Sequence, residues 1–198
     1  MTNNVKQLEQ KLSTVIGVAH CITVPAGEGD LLALRVLGDP ALGERALMAG
    51  EEMLVSARDA EKMAHVWEKT GVVPAVYAEN AGEALECALS PASKAVVLTH
   101  ADGVAQRMET VRNFCNAYDL WMLERMENAW GLICEFDGTR YGAGVVGDLG
   151  VGTLCDASGA PLCDYVCTKD TLPAQLARSL RETDISEEAA VRGLQVLN

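Results

Sequence analysis

Basic residues are few in this sequence: 16 Lys and Arg stand against 28 Asp and Glu, a formal charge of −12. They form no basic stripe interleaved with aromatics, so a surface for a nucleic-acid backbone is excluded. Long apolar runs are also missing. None approaches the ~20 residues that span a bilayer, and the start, "MTNNVKQLEQKLSTVIG", lacks the basic, apolar and cleavage segments of a secretory leader. A cytoplasmic chain without a membrane anchor is expected. The seven cysteines, Cys21, Cys87, Cys115, Cys134, Cys155, Cys163 and Cys167, include no C-x-x-C pair. That odd, scattered set reads as reduced, buried thiols rather than a disulfide frame. His20, His65 and His100 have no partners at zinc-like spacing. Low-complexity tracts, long linkers and internal repeats are absent as well. The 198 residues are therefore expected to form one domain with a single core.

What is present is an alternation of helical and extended patterns. Val5, Leu8, Leu12, Val15 and Ile16 recur at helical spacing over residues 4 to 16. Five short apolar runs follow: "HCITVPA" (20 to 26), "EEMLVSA" (51 to 57), "VVPAVYAE" (72 to 79), "KAVVLTH" (94 to 100) and "DLWMLERM" (119 to 126). Helical stretches lie between them, with Val104, Met108, Val111, Cys115 and Tyr118 on one face. This order predicts an α/β fold, a mostly parallel sheet with helices on both faces. Next, "CEFDGTRYGAG" reads as a hairpin around a type I′ Asp-Gly turn. "GDLGVGTLCDASGAPLCDYVCT" gives two more strands around a Gly/Pro turn. Helices are predicted near 172 to 182 and 186 to 196, the last started by Ser186 with Glu187 and Glu188.

In such sheets ligands bind beyond the carboxyl ends of the strands. Those ends are Pro25 to Asp30, Ala57 to Asp59, His100 to Gly103 and Glu124 to Asn128. The turn "PAGEGDLLAL" has glycines before a helix, an arrangement that can hold a phosphate on free amides. Glu28 opposes an anion there, and Asp30 is expected to cap the helix and take up those amides. Cys163 and Cys167 with Asp156 and Asp164 form a minor metal candidate; strand neighbours explain them as readily, and no metal is expected. Cys155 or Cys163 as a nucleophile would need a nearby base and a depressed pKa. Glu124, Glu127, Asp148 and Asp156 are candidates for acid–base chemistry if they gather at the strand ends. A solvated rim is the plainer reading.

Seven segments, taken in order, resemble one family over residues 18 to 182: "TVPAGEGDLLAL", "LGERALMAGEEMLVSA", "GVVPAVYAE", "ALECALSPASKAVVLTHADG", "VRNFCNAYDLWMLERMENAWG", "FDGTRYGAGVVGDLG" and "VCTKD". They are similar to the large-domain core of the pyridoxal-phosphate sugar aminotransferases of fold type I, the DegT/DnrJ/StrS family. The branch most like them is the nucleotide-sugar 3-dehydrases of surface-polysaccharide synthesis. Residues 183 to 198 then form a C-terminal helix beyond the resemblance. The family's N-terminal segment and small closing domain find no room in 198 residues, so a core without its small domain is expected.

Position by position, the resemblance implies a dismantled cofactor site. The family's serine-rich phosphate turn becomes Pro25, Ala26, Gly27, Glu28 and Gly29, one residue shorter. Its ring-stacking aromatic residue becomes Arg58, Asp59 or Ala60. His100 and Gly103 are kept, but the Asn-Pro that follows them is not. At the end of the "DLWMLERM" strand, the family's Glu-Asp becomes Glu124-Arg125. The lost Asp would accept a hydrogen bond from the protonated pyridine nitrogen; arginine, always charged, cannot. The "VVGDLG" and "VCTKD" anchors place Thr153 and Leu154 over the family's Ser-Phe pair. Ser158 then stands at its Schiff-base lysine, and serine forms no aldimine.

The expectation is a degenerate, non-catalytic relative with no catalytic residue and no cofactor. Gly27, Glu28, Gly29, Arg58, His100, Arg125, Asn128, Thr153 and Ser158 would be remnants of the old site. Arg125 would be structural, ion-paired with Glu124 and Asn128 across the former cofactor space. A homodimer or pairing with a full-length relative would give it a binding or assembly role, and a sugar nucleotide is a possible ligand. The alternative is a working pyridoxal-phosphate aminotransferase or dehydrase that uses Lys169 or a partner's lysine.

Overall fold

The computed structural model describes residues 1–78, 83–129 and 131–197. Glu79, the last residue of the 72 to 79 run, and Asn198 lie outside them. The elements in order are α1 (Asn3–Ile16), β1 (His20–Val24), α2 (Gly29–Leu37), β2 (Glu52–Ser56), α3 (Ala57–Lys62), α4 (Ala64–Thr70), β3 (Val73–Tyr77) and α5 (Glu83–Ala88). Then come β4 (Ser93–Ala101), α6 (Met108–Tyr118), β5 (Trp121–Glu127), β6 (Ile133–Phe136), β7 (Thr139–Gly142), β8 (Leu149–Cys155), β9 (Pro161–Thr168), α7 (Thr171–Leu180) and α8 (Glu187–Val196). A 3-10 segment, Pro40–Arg45, precedes β2.

Seven strands form one sheet in the order β1-β9-β8-β5-β4-β2-β3. All run parallel except β9, which is antiparallel to both β1 and β8. Each of the five apolar runs contains one strand, so the α/β expectation holds. The β6–β7 hairpin turns at Asp137 (φ 49°) and Gly138 (φ 67°), the left-handed pair that a type I′ turn demands. Ser186 accepts the amide of Ala189 at the start of α8, as its sequence signature predicts.

Alternating side chains feed two cores. Ile22, Val24, Met53, Val55, Val97 and Leu123 pack under α2, α4 and α7. Leu54, Val96, Leu98 and Met122 pack under α1, α5, α6, α8 and the hairpin. The helix predicted from Val104 starts four residues later. Its buried face is Met108, Val111, Phe114 and Cys115, while Val104 and Tyr118 stay exposed. The cause is His100, whose ring holds the amide of Gln106 and fixes the intervening residues as a turn.

Candidate functional site

The carboxyl ends of β1, β2, β4, β5 and β8 meet beside the amino terminus of α2, the crevice where ligands lodge in open α/β sheets. Here the chain's own side chains occupy its glycine turn and centre. The amides of Gly27 and Gly29 both donate to Asp164 Oδ2, at 2.8 and 3.0 Å. Thr153 Oγ1 donates to Asp164 Oδ1 at 2.7 Å. A carboxylate from β9 thus takes the place that a bound anion would hold at a helix start. The expectation of a self-filled turn is correct in kind and wrong in residue, for Asp30 does not cap α2. Glu28 precedes the helix without a side-chain cap bond and points to solvent. Gly29 is required by packing: a Cβ there would lie 2.9 Å from the Cβ of Asp164. Burial raises the pKa of Asp164, and the bonds from Thr153, Gly29 and Gly27 only partly offset that rise.

Arg125 is the second plug. Its Nε and Nη2 donate to the two oxygens of Asp30 at 2.8 and 2.9 Å, and Nη1 donates to Asp59 Oδ1 at 2.7 Å. Asp59 also accepts from Thr99 Oγ1 and from Ser56 Oγ. The side chain of Arg125 is 13% exposed and that of Asp59 only 2%. Burial works against the guanidinium charge, but Asp30 and Asp59 outweigh it and its pKa rises. The fork-to-carboxylate geometry is the strong form of the interaction. The expected ion pair across this space is therefore formed with different partners: Glu124 and Asn128 are not among them. Adjacent strand residues point to opposite faces, so Glu124 faces away from Arg125. Asn128 lies past the strand end at φ 48° and bonds Asp102.

Arg58 and Lys62 share Glu127 at the exposed rim. Burial opposes ionisation of Glu127, but the hydrogen bonds from Lys62 and Arg58 prevail and lower its pKa. Between this rim and the plug, Ser56, Asp59, Tyr77, Thr99 and Gln106 line a cavity of about 310 Å³.

His100 belongs to the other face. The amide of Gln106 donates to its Nδ1, so the ring proton sits on Nε2 and is given to Glu124 Oε1 at 3.0 Å. Glu124 also accepts the amides of Gly144 and Gly147, at 2.6 and 2.9 Å. Cys134 completes a fully buried group whose ligand atoms lie within 4.8 Å of one another. The Nε2 proton occupies the position that a metal ion would need. This group, and not Cys163 with Cys167, is the metal-like constellation among the described residues.

The other candidates are dispersed. Ser158 sits at the exposed tip between β8 and β9, bonded to Asp156. Asp156 pairs with Arg192 of α8, on the face opposite α2. Asp148 lies before β8 with Arg112 and the amide of Met122. The four acidic residues therefore do not gather. Burial pushes the Cys163 thiol up to about 12, and the pKa of Cys155 is raised mainly by burial as well. Neither suits a nucleophile. Lys169 follows β9, whose last residue pairs with the first of β1. It lies a full strand length, ~16 Å for five residues, from the glycine turn that follows β1. Sequence reasoning missed the Asp30–Arg125–Asp59 bridge and the role of Asp164. One signal was available: a lone charge inside the buried strand "LCDYVC".

Pyridoxal phosphate does not fit these residues. The Gly27 and Gly29 amides are taken by Asp164, the residue that the resemblance sets against the ring nitrogen is the donor Arg125, Ser158 offers no amine, and Lys169 lies at the other end of the strands.

Comparison with known proteins sets this geometry in a lineage. The lipopolysaccharide biosynthesis protein RfbH of Salmonella typhimurium is 33% identical over 154 residues, which cover 74% of this chain and 34% of that protein. The structure of DesI with its TDP-sugar product superposes on all of this chain and 53% of that one, at a TM-score of 0.81 and 21% identity. GDP-4-keto-6-deoxymannose-3-dehydratase (ColD) with bound GDP-perosamine gives 0.80 and 17%, over all of this chain and 61% of that one. The chain therefore spans about a third of the curated relative and somewhat over half of these solved structures. Its sheet is the mostly parallel core of their large domain. A family model matches residues 1–151, and on that match the chain belongs to the DegT/DnrJ/EryC1/StrS aminotransferase family.

Proposed function

We propose that this chain is a non-catalytic family member whose cofactor crevice is closed by its own side chains, and that it serves nucleotide-sugar enzymes by binding or assembly. The observation that carries the reading is the Asp164 carboxylate on the amides of Gly27 and Gly29. A phosphate arriving there would have to displace a like charge already bonded to its donors. The Arg125 bridge to Asp30 and Asp59 reinforces the closure. The rival, a working enzyme that uses Lys169, needs an amine at the carboxyl ends of the strands; antiparallel β9 carries Lys169 to the other end.

Support for assembly comes from an apolar hollow of about 230 Å³ beside the β6–β7 hairpin, lined by Val15, Ile16, Met126, Leu132, Ile133 and Tyr165 among others. Val15 and Ile133 are about half exposed there, a surface suited to a second copy or a full-length relative.

The test is direct. Purified protein titrated with micromolar pyridoxal phosphate should show no saturable aldimine absorbance and, after borohydride reduction, no stoichiometric label on a single lysine. A stoichiometric, reducible adduct on a lysine of this chain would overturn the reading.

A further inference from the structure

The amino ends of the parallel strands hold the other notable arginine. Arg45 ends the 3-10 segment before β2, and its guanidinium carbon lies 3.7 Å from the ring centroid of Trp121, the first residue of β5. The indole Nε1 donates to the backbone oxygen of Arg45 at 2.6 Å. Side chain and main chain are thus both fixed against one ring. The Nε of Arg45 is buried without a hydrogen-bond partner. Among the described residues its one ion pair is that Nε against Asp119 at 3.3 Å, and Asp119 is itself 79% exposed. The Nη fork has no partner among the described residues, although a guanidinium carries five donors.

Arg45 borders the largest of the cavities described, about 630 Å³, whose wall also includes Lys94, Glu44, Asp119, Leu89 and Leu120. Lys94 donates to the backbone oxygen of Glu44 at 3.0 Å and lies 3.8 Å from Glu51, which leaves ammonium donors available. Leu89 and Leu120 add an apolar wall. Two carboxylates, Glu44 and Asp119, balance the two cations of the wall, so the hollow is locally neutral in a chain of net charge −12. Its volume is that of small-molecule sites.

We propose that this hollow binds a small organic oxyanion, a carboxylate or a phosphate monoester, gripped by the Arg45 fork and Lys94. Arginine held flat on an aromatic ring presents a rigid, planar pair of donors to such a group. The site is at the opposite end of the sheet from the plugged crevice and does not depend on the crevice's loss of chemistry.

The test is a titration followed by tryptophan fluorescence and calorimetry, with citrate, inorganic phosphate and glycerol phosphate as probes and sodium chloride at matched ionic strength as the control. Saturable binding by at least one probe is expected, weakened roughly ten- to a hundredfold in Arg45→Gln and less in Lys94→Gln. Arg35→Gln, a surface arginine paired with Glu182 elsewhere, should leave it unchanged. A preference for citrate assigns a carboxylate ligand and a preference for the phosphates assigns a phosphate monoester; either supports the site. The proposal is overturned if no probe saturates below about 10 mM, if chloride reproduces the signal, or if a folded Arg45→Gln binds as well as the parent chain.

Discussion

Arg125 and Arg45 mark the two ends of one sheet and differ in what surrounds them. At the carboxyl ends Arg125 faces one buried and one partly buried carboxylate and gives three hydrogen bonds to them. At the amino ends Arg45 lies on an indole with none of its guanidinium donors hydrogen-bonded. A charge satisfied from within becomes part of the scaffold, whereas one laid on a ring beside a single exposed carboxylate keeps donors available to a solute. The same residue type thus serves stability at one end and recognition at the other.

The largest effect that tests this contrast is on stability. Arg125→Met strands Asp30 and Asp59 together in a buried place, and breaking such a pair costs about 3–5 kcal/mol. Urea unfolding should show that loss, and adding Asp30→Asn with Asp59→Asn should recover most of it. A loss below about 1 kcal/mol would place the bridge with ordinary surface pairs.

Next comes the plug itself. Asp164→Ser removes the carboxylate from the amides of Gly27 and Gly29. Its expected cost is about 1–3 kcal/mol, together with a gain of phosphate affinity at the helix start that the parent chain lacks. A phosphate titration by calorimetry in an Arg45→Gln background isolates that gain from the other end.

A smaller effect is in pH dependence. The folded pKa of Asp164 lies above its ordinary 3.8, chiefly through burial. Its contribution to stability is therefore fully present below that ordinary value and is lost as pH rises through the folded pKa. Relative to Asp164→Asn, the parent chain should gain stability as pH falls through this window. An opposite slope would mean that the amide donors, not burial, govern this carboxyl.

The smallest stability effect is expected of Arg45→Gln, about 0.5–1 kcal/mol for the lost stacking on Trp121. If it destabilises as much as Arg125→Met, the contrast between the two ends fails.

Much of this fold was legible because short β-branched runs and Asp137-Gly138 carry local signals. The replacement at Arg125 could be read from one strand end. Its partners could not, since Asp30 and Asp59 lie 95 and 66 residues away in sequence and no periodicity joins them. The pairing of Arg125 with Glu124 failed on strand alternation, a rule that was available. Ser158, which the resemblance sets at the lysine position, lies in the exposed turn between β8 and β9. Local pattern found the elements, while the site depended on which distant side chains the topology brought together.

The contact between Gly29 and Asp164 limits how this crevice can change. Any side chain added at position 29 would meet the Cβ of Asp164 at 2.9 Å and its Oδ2 at 3.2 Å. Val151 Cγ1 would lie 3.0 Å away as well, so a bulkier turn needs both positions 164 and 151 to give way, and changes at the three positions are coupled. The shape of the turn is thus held jointly by β8 and β9, the strands that carry Val151 and Asp164.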